Sequence, residues 1–85
     1  MPLFLIERQF AETVQLDAAG AAAIKSVNDD VGVNWLYSFL SADRKKTYCL
    51  YEAPSADAIR RAARLNSLPA DVVIEVSQLR PELLV

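Results

Sequence analysis

The 85-residue chain contains no histidine. Its absence removes the commonest general base and the commonest transition-metal ligand. Any nucleophile or metal site must then be built from carboxylates, hydroxyls and one thiol. The single cysteine, Cys49, cannot close a disulfide within the chain, so a reducing cytoplasm is the expected compartment. Glycine is scarce: only Gly20 and Gly32 are present, which excludes a Gly-rich phosphate loop. Neither sign of charge prevails. Nine Lys and Arg stand against 11 Asp and Glu, a net charge of −2. No basic face for nucleic acid is expected from that balance. No apolar run approaches the ~20 residues of a membrane span, and no membrane partner is expected. The start, MPLFLIER, has no basic n-region and reaches Glu7 too early for a signal peptide. With no repeat, low-complexity tract or linker, residues 1–85 read as one domain.

What is present is apolar. Hydrophobic residues make up 53% of the chain, above the ~45–50% usual for globular domains. A chain this short buries only a little over ~60% of its unfolded surface. Excess apolar residues in so small a domain point to burial against a partner.

The stretch from Val31 to Pro54 organises the rest. It holds the only Trp, all three Tyr, the only Cys and a basic turn. Val33–Leu40 and Thr47–Glu52 are rich in β-branched and aromatic residues and read as two strands. Ser41–Lys46 is polar and reads as the turn, with Asp43 able to accept local backbone N–H bonds. If Ser41 pairs with Lys46, Phe39 faces Tyr48, Tyr37 faces Leu50 and Trp35 faces Glu52. Alternation then places Trp35, Tyr37, Phe39, Tyr48 and Glu52 on one face with Val33. Leu36, Ser38, Leu40, Thr47, Cys49 and Tyr51 take the other. Cys49 and Glu52 point to opposite faces in this register.

The remaining elements follow from local signals. Leu3–Phe10 reads as a strand with Phe4, Ile6, Arg8 and Phe10 on one face. Asp17 is an N-cap for an Ala-rich helix ending at Asn28-Asp29-Asp30, with a stripe of Leu16, Ala19 or Gly20, Ala23, Ile24 and Val27. Gly32 opens the hairpin. Ser55 caps a second helix, Ala56–Leu65, with Ile59, Ala62, Ala63 and Leu65 inward and Arg60, Arg61 and Arg64 mostly outward. Val72–Val76 is the last strand. The tail, 79–85, carries Leu79, Leu83, Leu84 and Val85 and is expected to pack on a partner.

The order β-α-β-β-α-β predicts an α+β, ferredoxin-like fold with strand order 4-1-3-2. Two helices cover one face of a four-stranded antiparallel sheet. Yet both sheet faces carry apolar residues, and a soluble monomer rarely leaves such a face open. The expectation is a homodimer that packs its open sheet faces together, as in dimeric α/β barrels.

Several of these residues also resemble a known family. Leu5-Ile6-Glu7-Arg8, Trp35, Ser38, Asp43, the string Lys46-Thr47-Tyr48-Cys49-Leu50-Tyr51-Glu52-Ala53-Pro54-Ser55 and Leu68-Pro69-Ala70-Asp71-Val72-Val73 resemble a small bacterial family of nickel-responsive, nickel-binding-protein-like chains. The resemblance covers nearly the whole chain. It implies a ferredoxin-like fold, a homodimer, and nickel or another divalent metal as a possible cofactor. It implies no defined reaction.

The chemistry on offer divides into three readings. The leading one is a small homodimeric binding protein for a ligand or metal, without catalysis. Trp35, Tyr37, Phe39, Tyr48 and Glu52 would line its pocket, with Cys49, Glu52 and Glu7 as candidate metal ligands. The bland alternatives are an ordinary aromatic dimer core, a buried Cys49, and a Glu52 that reaches solvent or pairs with Arg8. The second reading is a cofactor-free isomerase, cyclase or monooxygenase. There Glu52 is the acid or base and Tyr37 or Tyr48 stabilises an oxyanion. The third is a structural interaction module. Arg44-Lys45-Lys46 reads as a solvated turn rather than an anion site.

Overall fold

The computed structural model describes residues 1–84. Strand β1 is Leu3–Gln9, helix α1 Ala18–Val31, β2 Asn34–Leu40, β3 Lys46–Glu52, helix α2 Ala56–Leu65 and β4 Val72–Val76, followed by a short 3-10 turn at Pro81–Leu83. The sheet order is β2-β3-β1-β4, with every neighbouring pair antiparallel. Read from the other edge this is 4-1-3-2, the ferredoxin-like arrangement.

Local chemistry sets the boundaries. The Asp17 carboxylate accepts from the Gly20 N–H at 2.8 Å and starts α1. Ser55 Oγ accepts from the Ala58 N–H and starts α2. Helix α1 does not end at Asn28-Asp29-Asp30. It runs on to Val31 and stops at Gly32, whose φ of 88° is the left-handed conformation that glycine adopts at least cost. Gly20 lies under the N-cap rather than on the sheet: a Cβ there would meet the Leu16 and Asp17 side chains.

Alternation along β1 and β3 divides the sheet cleanly. Phe4, Ile6 and Arg8 with Thr47, Cys49 and Tyr51 are buried beneath the helices. The core adds Val33, Ala53, Ile59 and Ala62. Leu65 is exposed rather than inward, because Ile59, Ala62 and Ala63 fill the buried stripe of α2. The opposite sheet face has no helix over it. Across it run Tyr37–Leu50–Leu5–Ile74 and Phe39–Tyr48–Glu7–Val72 as cross-strand rows, with Leu3 and Val76 at the end.

The hairpin register differs from the sequence expectation at one point. Ser41 N–H donates to Lys46 O at 2.9 Å, and Phe39 faces Tyr48 and Tyr37 faces Leu50 as anticipated. Between Trp35 and Tyr37 the register slips by one residue, so Trp35 pairs with Tyr51 and Asn34 with Glu52. The extra residue in β2 reverses the alternation. Trp35 therefore leaves the aromatic face and turns under the sheet, where its indole Nε1–H donates to Ser38 Oγ at 2.8 Å.

The tail residues Leu79, Leu83 and Leu84 are exposed. The remaining residue of the predicted tail, Val85, lies outside the described residues.

Candidate functional site

Two surfaces carry the side chains that sequence reasoning singled out, one on each side of the sheet.

On the helix side, α1 contributes Ile24 to the wall of a space above the sheet, while Ala18, Ala19, Ala22 and Ala23 are exposed. The segment 10–17 is tied to the hairpin turn. Phe10 N–H donates to Lys45 O at 2.8 Å, Val14 N–H to Arg44 O at 2.7 Å, and Arg44 Nη2 to Val14 O at 3.0 Å. Arg44 makes this bridge from a φ of 62°. The strap so held, together with α1 and the sheet, borders an open-mouthed cavity of about 630 Å³. Arg8, Trp35, Ser38, Thr47, Cys49 and Tyr51 line its sheet wall.

A buried polar chain runs along one side of this cavity. Arg8 Nη1 donates to Pro69 O, and the guanidinium carbon lies 5.8 Å from the Tyr51 ring centroid. Asn28 Nδ2 donates to the Tyr51 hydroxyl at 3.4 Å, and Asn66 Nδ2 donates to Asn28 Oδ1 at 3.2 Å. The chain links β1, β3 and both helices. Burial raises the Tyr51 pKa above the usual tyrosine value, while the Arg8 charge and the Asn28 hydrogen bond pull it the other way. The Cys49 thiol donates to Thr47 Oγ1 at 3.5 Å. It is buried, and its hydrogen-bond partner is a hydroxyl rather than a base.

The open face carries Tyr37, Phe39, Tyr48 and Glu52. Tyr37 and Phe39 meet edge to face with centroids 5.7 Å apart. Lys46 Nζ stands 5.1 Å from the Tyr48 ring centroid and 3.8 Å from Glu7 Oε1. Its pKa is raised, first by the Tyr48 hydroxyl and then by the Glu7 charge. Glu52 sits at the strand end and accepts from Asn34 Nδ2 at 3.1 Å. Pairing between Glu52 and Arg8 does not occur, because Arg8 belongs to the opposite face.

These placements test the metal donors directly. Cys49 lies beneath the sheet, while Glu7 and Glu52 lie on the open face. Glu7 pairs with Tyr48, four residues along β3 from Glu52, which separates the two carboxylates by roughly 13 Å of strand. Among the described residues no three Cys, His, Asp or Glu side chains come together as a metal-holding group. The described residues of this chain do not fit a nickel ion.

Sequence reasoning missed Arg8 and Asn28 as buried polar residues. Both had a signal. Arg8 alternates with Phe4 and Ile6, and Asn28 follows Ile24 by four residues on the same helical stripe.

Among the described residues no helix is long and apolar enough to cross a membrane. No functionally curated protein matches the chain. In overall fold it is similar to the crystal structure of SCO4226 from Streptomyces coelicolor A3(2). The TM-score is 0.78 at 24% sequence identity, over 92% of this chain and 99% of that one. The family described as "Nickel responsive protein SCO4226-like" matches residues 4–76, which take in every strand and both helices. The chain belongs to this SCO4226-like family of nickel-responsive proteins.

Proposed function

We propose that the protein is a small homodimeric ligand-binding protein whose subunits join through their open sheet faces. The observation that carries this reading is the apolar face itself. Phe39 is 65% exposed, Tyr37 51% and Ile74 49%, on a face that also presents Leu5, Leu50 and Val72. Covering a large apolar side chain is worth about 1.5–3 kcal/mol. A continuous patch of this kind is the signature of an interaction surface. A second copy of the same face is its natural complement, because a two-fold interface is built from one self-complementary patch.

In such a dimer Tyr37, Phe39, Tyr48 and Glu52 stand at the seam, where a small molecule would meet aromatic walls and two kinds of polar group. Trp35 takes no part in that site. Within one chain Cys49 lies across the sheet from Glu7 and Glu52, so the ligand proposed at the seam is organic.

Native mass spectrometry tests the reading on protein purified without chelators or a His tag. A dimer carrying added organic mass is the expected result. A dimer that is always bare, whatever small molecules are offered, reduces the protein to a structural module.

A further inference from the structure

The helix-side cavity is separate from the proposed dimer face, lying across the sheet from it. We propose that it binds a small organic monoanion, an apolar molecule bearing one carboxylate, with the Arg8 guanidinium as the partner of that carboxylate.

Arg8 carries a guanidinium cation and is only 4% accessible. A charge that deep is costly unless it is paired. Yet none of the ion pairs among the described residues includes Arg8. Of its five N–H donors, one meets Pro69 O. The Tyr51 ring offers a weak partner to one face of the guanidinium. Arg8 is among the residues that line the cavity, so an anion bound there would lie beside it.

The rest of the cavity defines the molecule. Phe10, Leu16, Ile24, Trp35, Leu40 and Leu68 make its walls mostly apolar. An inorganic anion would leave those walls wet, whereas an aromatic or branched acid would cover them. The volume of about 630 Å³ lies within the ~300–1,000 Å³ usual for small-molecule sites. Arg44 adds a second positive charge at the rim against the single acidic side chain there, Glu12. The Cys49 thiol donates to Thr47 Oγ1 and the Trp35 indole N–H to Ser38 Oγ. The one charged donor of the sheet wall is the guanidinium, which suits a carboxylate.

Trp35 is the chain's only tryptophan and lines the cavity, so its fluorescence reports occupancy. The test titrates the full chain with phenylacetate and, separately, with the neutral isostere phenylacetamide. Saturable binding with the acid about tenfold or more tighter than the amide is expected, since hydrogen bonds to a charged group carry the difference. Arg8→Met should remove that preference. If this variant fails to fold, the acid-to-amide ratio on the unmodified chain decides alone. Equal affinities, or no saturable response to either probe, would overturn the proposal.

Discussion

Asn28 holds together residues that are far apart in sequence. Its side chain is 2% accessible, accepts from Asn66 and donates to the Tyr51 hydroxyl. Asn28→Leu keeps the volume but strips both neighbours of their partner. It should cost about 2–3 kcal/mol, read as a lower urea midpoint at unchanged slope. Tyr51 makes a pH prediction. Burial raises its pKa in the folded state above the usual 10.0, so the folded chain holds the phenolic proton more tightly than the unfolded one. That contribution is fully present below pH 10.0 and is lost as pH rises through the folded pKa. Tyr51→Phe should be less stable at neutral pH by about 0.5–1.5 kcal/mol, because the Asn28 bond is gone. It should also lose less stability than the parent chain between neutral and strongly alkaline pH. Equal alkaline losses in urea melts of the two proteins would contradict the assignment.

Among the elements, the sheet was the more legible part of the sequence and helix α1 the less. Period-two alternation in β1 and β3 groups Phe4, Ile6 and Arg8, and Thr47, Cys49 and Tyr51, as the structure does, although apolar residues occur on both faces. The turn residues Ser41 and Asp43 fix the hairpin near its tip: Ser41 Oγ donates to Asp43 Oδ1 at 2.6 Å and accepts from Lys46 N–H at 3.0 Å. The Ser41 hydroxyl and, after it, the Lys45 N–H hold the Asp43 pKa below the usual carboxylate range. The bulge near Leu36 had no such signal. Both Trp35 and Leu36 are apolar, so either can face the helices, and packing of the indole on Tyr51 and Ser38 decides. Helix α1 was read too short for a similar reason. Asn28-Asp29-Asp30 looks like a terminus, but Asn28 is satisfied inside the fold and Asp29 pairs with Lys25 at 2.8 Å. The real stop is Gly32. Gly32→Ala should cost about 1 kcal/mol through its left-handed φ alone, since no atom lies near the added Cβ. A thermal melt would show the loss, and an unchanged midpoint would refute the capping role. The cavity was illegible because the strap 10–17 that walls it carries no periodic signal; its bonds to Lys45 and Arg44 hold it in place.

At the scale of the whole molecule, one sheet face is covered by its own helices and the other by none of the described residues. Both are apolar, and that asymmetry is what the proposed dimer would resolve. The fold and the family were visible in the sequence; the division of the aromatic residues between the two faces needed the structure. The central claim is that the open face is a subunit interface. Sedimentation velocity at micromolar concentration, on the parent chain and on Phe39→Asp, tests it most directly. Phe39 is largely exposed, so an aspartate there disturbs little within one subunit but buries two like charges in a two-fold interface. The account predicts a dimer for the parent chain and a folded monomer for the variant. A parent chain that sediments as a monomer, or a variant that remains a dimer, would contradict it.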